Sequence, residues 1–126
     1  MTRIALALAA LAALALPASA ADKPKAPGSM RDGVLADSNG MTLYTFDKDK
    51  DAPGKSACSG PCAENWPPLK ATADAKPTGD WTTVTRDDGS KQWAYKGKPV
   101  YLWVKDKKPG DKTGDGVREV WHVVKE

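Results

Sequence analysis

The sequence predicts an all-β domain of mainly antiparallel hairpins, built from two tandem repeats that share one core. Three observations carry that prediction. The pattern Tyr-x-aromatic-x-x-Asp occurs twice, as Tyr44-Thr45-Phe46-Asp47-Lys48-Asp49 and as Tyr101-Leu102-Trp103-Val104-Lys105-Asp106. Each copy follows a glycine at the same interval, Gly40 and Gly97, and each leads through a charged loop to a tryptophan, Trp66 and Trp121. Short runs of β-branched and aromatic residues alternate with turns rich in Gly, Asn and Asp, which is the composition of strands and their connections.

Taken in order, residues 1–20 read as a signal peptide. Arg3 gives a basic start, Ile4 to Leu16 form an apolar run, and Pro17-Ala18-Ser19-Ala20 ends in the small-x-small pattern of a cleavage site, so cutting is expected near Ala20. The run is shorter than the roughly 20 apolar residues of a bilayer-spanning helix. No second apolar stretch follows, and no transmembrane segment is expected. Residues 21–32 are rich in Lys, Pro and Ala without apolar periodicity and read as a flexible leader. Residues 33–126 suffice for one small β-rich domain, with the repeats spanning about 33–69 and 81–126.

Within the domain, Val34-Leu35-Ala36 and the run from Met41 to Phe46 flank Asp37-Ser38-Asn39-Gly40, and Asn-Gly between apolar runs signals a hairpin. Ala63-Glu64-Asn65 suggests one helical turn near 61–66, which Pro67-Pro68 keeps from growing. Residues 70–80 read as the linker between repeats. Trp81 to Thr85 is a strand, Asp87-Asp88-Gly89-Ser90 turns it into Gln92 to Tyr95, and Lys96-Gly97-Lys98 turns that into Val100 to Val104. Val117 to Val124 is expected as the last strand. A lone hairpin is marginal in water, so the two repeats should bury a common core.

Hairpin register decides where the aromatics go. A three-residue loop at Lys96-Gly97-Lys98 pairs Trp93 with Tyr101 and gathers Trp93, Tyr95, Tyr101 and Trp103 on one face. A two-residue loop puts the two sets on opposite faces. Alternation alone does not choose between them.

The candidate chemistry is sparse. Five tryptophans invite a stacking platform, but Trp66, Trp81, Trp93, Trp103 and Trp121 also supply the buried area a small domain needs. Tyr44, Phe46, Asp49, Trp66, Tyr101, Trp103, Asp106 and Trp121 repeat and so read as scaffold. Trp81, Trp93 and Tyr95 lie outside the duplicated positions and form the possible ligand face. Asp49 and Asp106 read as turn caps.

Cys58-Ser59-Gly60-Pro61-Cys62 reads first as a disulfide, given an exported chain with an even cysteine count. A redox dithiol is the alternative, although such cysteines are usually spaced by two residues. A copper-type site from Cys58, Cys62, His122 and Met41 is chemically coherent but takes nearly every such ligand the mature chain has, leaving only Met30. Asp47-Lys48-Asp49-Lys50-Asp51 and the loop holding Asp111 and Asp115 each carry half of a calcium pattern, diluted by lysines. No nucleophile elbow, phosphate-cradling loop or zinc-spaced histidine pair occurs, so no catalytic set and no cofactor is expected. The net charge of +3 comes from interleaved lysines and aspartates, which implies neither a nucleic-acid nor a membrane partner.

The motif pair, with CSGPCAENWPPL, GSKQWAYKGKPVYLW and GDGVREVWHVV, resembles the predicted bacterial lipoproteins known by their Tyr-x-aromatic-x-x-Asp motif, the secreted repeat of unknown function. The resemblance spans about Gly33 to Val124 and implies an exported β-rich bacterial protein. Ala21 stands where a lipoprotein carries its lipidated cysteine, so a free periplasmic or secreted monomer without a lipid anchor is expected. The functional expectation is a non-enzymatic module that binds an envelope protein or a small ligand. The alternative is an envelope redox or metal-handling protein centred on Cys58 and Cys62.

Overall fold

The computed structural model describes residues 26–125 apart from Pro53. The expected signal peptide and the first part of the leader lie outside the described residues. Eight short strands and one short helix follow one another: β1 (Gly28–Arg31), β2 (Val34–Asp37), β3 (Tyr44–Phe46), α1 (Pro61–Asn65), β4 (Lys70–Ala71), β5 (Trp81–Thr85), β6 (Lys91–Tyr95), β7 (Lys98–Pro99) and β8 (Trp121–Val123). All named strand pairs are antiparallel: β1 with β2, β3 with β8, and a four-stranded sheet in which β6 pairs β5, β4 and β7. The fold is all-β, as the turn chemistry predicts.

The first difference from expectation is at the leader. Residues 28–31 form β1 on β2, closed by a two-residue turn at Asp32 and Gly33 with φ of 51° and 88°. Asp-Gly is a favoured pair for such a turn. The lack of apolar periodicity hid a strand whose partner is local.

At the second difference, the expected strand from Val117 to Val124 is interrupted. Val117–Glu119 forms a 3-10 turn, and β8 begins only at Trp121. Arg118 and Glu119 sit at φ of 52° and 63°, outside the extended region. The Gly116 N–H donates to the Trp121 carbonyl and closes the turn. The expected strand from Val100 to Val104 likewise survives only as isolated bridges at Tyr101.

The hairpin after β6 has the two-residue loop. Tyr95 pairs with Lys98, and Lys96 and Gly97 take φ of 51° and 84°. This register faces Trp93 and Tyr95 away from Tyr101, and it separates two cores. One gathers Val34, Tyr44, Cys58, Trp66, Tyr101, Trp121 and Val123. The other gathers Leu35, Leu43, Trp81 and Val100, with Trp93 and Tyr95 packed against it. Successive residues Val34 and Leu35 serve different cores, as do Tyr101 and Val100, because strand side chains alternate in direction. Both repeats contribute to each cluster, so they share their core as expected, and strands apolar on both faces lay it out in two parts.

Candidate functional site

The two repeats exchange partners. Tyr44 and Tyr101 face each other across an antiparallel bridge, each N–H donating to the other's carbonyl at 2.9 Å. β3 of the first repeat pairs with β8 of the second, Phe46 opposite Trp121. In return the second repeat's aromatic segment pairs with the end of the first: Leu102 N–H donates to Pro67 O at 2.7 Å and Val104 N–H to Asn65 O at 3.1 Å. These reciprocal bonds relate the repeats by an approximate two-fold through the tyrosine bridge.

The motif side chains follow the same exchange. Tyr44 Oη donates to Asp106 Oδ2 at 2.6 Å, and Tyr101 Oη donates to Asp49 Oδ2 at 2.7 Å. Each motif tyrosine thus meets the aspartate of the other motif. The aspartates also hold loops: Asp106 accepts from the Thr113 N–H and hydroxyl, and Asp49 from the Ala57 N–H at 2.6 Å. These bonds reach seven and eight residues along the chain rather than across one tight turn, and the crossed tyrosine bonds have no signal in the sequence. Burial raises both phenols above their ordinary pKa, and the facing carboxylate adds to the effect. Burial also raises the Asp49 carboxyl, outweighing the donors around it.

Below the tyrosines lies a stack of four rings drawn alternately from the repeats. Phe46 stacks on Trp121 at 4.2 Å between centroids, Trp121 on Trp66 at 3.8 Å, and Trp66 on Trp103 at 3.9 Å. Tyr44 meets Trp66 edge-on and Tyr101 meets Trp121 in the same way. Gly114 supports the stack by close approach: a Cβ there would lie 2.8 Å from Trp66 Cη2 and 3.0 Å from Trp103.

One border of this stack opens into a cleft of about 530 Å³. All four rings line it, together with Pro61, Cys62, Val117 and Val120, and Lys48 and Arg118 are its charged lining residues. Arg118 reaches the rim from the left-handed turn described above, a conformation that costs a non-glycine residue about 1–2 kcal/mol. The Trp103 indole N–H is buried without a hydrogen-bond partner.

Cys58 and Cys62 form a disulfide with a Cα separation of 5.3 Å. Cys58 is fully buried. Sequence reasoning missed what holds this loop, which is Arg86. Its guanidinium is buried and donates to the Cys58 carbonyl, to Ser56 Oγ at 3.0 Å and to Gln92 Oε1 at 2.7 Å. Ser56 in turn contacts the Tyr101 hydroxyl, and Gln92 donates to Val100 O at 2.8 Å. An arginine beside a turn reads as a surface charge; the even-numbered polar Gln92 amid Trp93 and Tyr95 was the only hint of a buried partner.

The other candidates are dispersed. Trp81, offered as part of a ligand face, is 4 % exposed and belongs to the second core, where it meets Trp93 edge-on and Tyr95 at 5.0 Å. It therefore presents no platform. His122 Nε2 lies 3.0 Å from Asp47 Oδ2 on the surface. With both sulfurs joined, the set of Cys58, Cys62, His122 and Met41 offers no thiolate to a soft metal. Asp111 accepts from the Lys107 and Lys108 N–H groups, and Asp115 from that of Val123, so both act on their own loops or the adjacent strand. Among the described residues, no three His, Cys, Asp or Glu side chains are grouped to hold a metal ion. No helix among them is long and apolar enough to cross a membrane.

Comparison with known proteins gives one match. A family model described as a secreted repeat of unknown function matches twice, over residues 29–70 and 82–125. No curated protein and no solved structure matches the chain. The two matches cover well over half of the sequence and fall on the two halves that exchange their aromatic residues: the chain belongs to the family of secreted repeats of unknown function.

Proposed function

We propose that this chain is an exported, non-enzymatic module of the cell envelope, periplasmic or secreted after cleavage near Ala20, which binds a small ligand through the cleft beside its ring stack. One observation carries the reading. The cleft is the place where the duplicated aromatics, otherwise devoted to the core, come to the surface together. Its volume falls within the range of small-molecule sites. The hydroxyl and carboxylate groups nearest the stack are bonded to one another, which leaves no nucleophile and base converging on the cleft and favours binding over catalysis.

The disulfide enters this reading as a wall of the site. Cys62 lines the cleft while Cys58 is anchored beneath it by Arg86. The bond from the buried Arg86 guanidinium to the Cys58 carbonyl supports a holding role for this loop.

The test is a fragment screen on the isotopically labelled mature chain, followed through backbone and indole N–H signals. Binders are expected to move the indole signals of Trp66, Trp103 and Trp121 and the amides of Lys48 and Val117. Hits that cluster elsewhere, around Trp93 and Tyr95 for example, would overturn the assignment of the cleft.

A further inference from the structure

Resting on that reading of the cleft, we infer that its ligand is an anionic planar aromatic molecule, held by ring edges and by the paired cations Lys48 and Arg118. The argument begins with which parts of the rings remain available. Both faces of Trp66 are covered, by Trp103 and Trp121, and both faces of Trp121 by Trp66 and Phe46. The two central rings can therefore offer the cleft only their edges. Aromatic faces carry partial negative charge and edges partial positive charge. The edges of these two central rings attract an anion or the face of another ring. They are poorly suited to quaternary ammonium groups, which need open faces.

Charge on the rim points the same way. Lys48 and Arg118 line the cleft, and neither has an ion-pair partner among the described residues. Glu119 neighbours Arg118 in sequence but does not line the cleft, nor does Asp47 beside Lys48. Each cation comes from a different repeat: Lys48 lies inside the first motif, and Arg118 precedes β8. They approach the same opening because β3 and β8 pair across the exchange. Arg118 stands in a left-handed turn that a non-glycine side chain adopts at a cost, and strain of that kind concentrates at binding sites.

The experiment uses the full mature chain with its disulfide intact and three matched probes. These are naphthalene-2-sulfonate, neutral naphthalene-2-methanol and cationic trimethyl(naphthalen-2-ylmethyl)ammonium, titrated while the indole N–H signals are followed. The sulfonate is expected to bind about tenfold more tightly than either analogue, the advantage that two partly exposed cations supply. That advantage should vanish in Lys48→Gln, Arg118→Gln double variants while the neutral probe binds unchanged. Both positions are exposed, so the fold should persist; a near-ultraviolet circular dichroism spectrum identical to the parent's verifies it. Equal or tighter binding of the neutral or cationic probe at the same indoles overturns the anion assignment and leaves the cleft as the binding site. Sulfonate shifts confined to other residues, or no shift with any probe, overturn the assignment and the cleft together.

Discussion

Exchange of Tyr44 and Tyr101 between the two motifs makes a quantitative prediction about which residues are coupled. Tyr44→Phe keeps the buried ring and its edge contact with Trp66 but removes a hydroxyl that donates to Asp106 at 2.6 Å and accepts from the Gly114 N–H at 3.1 Å. A hydrogen bond to a charged group contributes about 1.5–3 kcal/mol, and the stranded Gly114 N–H adds a desolvation penalty. The expected loss is about 2–4 kcal/mol, a large share of the roughly 5–15 kcal/mol available to a domain. Asp106→Ala removes the same bond along with two bonds to Thr113, so it should cost at least as much.

The decisive quantity is the coupling in a double-mutant cycle. For Tyr44→Phe with Asp106→Ala, partners far apart in sequence, it should reach about 1.5–3 kcal/mol because each single change already breaks their common bond. For Tyr44→Phe with Asp49→Ala, members of one motif that share no hydrogen bond, the losses should add within about 0.5 kcal/mol. Urea unfolding followed by tryptophan fluorescence reads both, since a 3 kcal/mol loss moves the midpoint by about 1–3 M at ordinary m-values. Coupling of Tyr44 to Asp49 equal to or above that to Asp106 would refute the crossed arrangement.

Three other outcomes are expected. Gly114→Ala forces a methyl against Trp66 and Trp103; it should destabilise by about 1–3 kcal/mol and alter the near-ultraviolet dichroism of the stack, whereas an unchanged spectrum would mean the glycine is not a support. The Cys58→Ser, Cys62→Ser double variant opens a loop with a sequence separation of four and should lose roughly 2 kcal/mol in urea unfolding, matching the parent under reducing conditions. Asp49 has a folded pKa raised by burial, so its contribution to stability falls as pH rises from about 4 through the raised value. In Asp49→Asn that decline should be absent, so the variant should gain on the parent with rising pH across this window; parallel pH profiles would contradict the shift.

How much of this was legible beforehand depends on the range of the interaction concerned. Turn residues act over two to four positions, so Asn-Gly, the Pro-limited helical turn near 61–66 and the Cys58–Cys62 loop could be read from the chain, as could the all-β class and the family. Asp32-Gly33 carries the same kind of signal, but β1 has Met30 as its one large apolar residue and so shows no alternation. Three features needed tertiary structure. The loop of two rather than three residues after β6 inverted every side chain beyond it and divided the aromatics between two cores. The buried Arg86 emerged only once Ser56, Cys58 and Gln92 were brought together from separate segments. The pairing of the duplicated motif was the third: duplication announces equivalent residues but not whether each unit satisfies its own bonds or its neighbour's. By itself the sequence determined that the tyrosines, aspartates and tryptophans would be used twice. Packing decided that they would be used across the repeats: the exchanged arrangement places each buried hydroxyl against a carboxylate and closes a single four-ring stack.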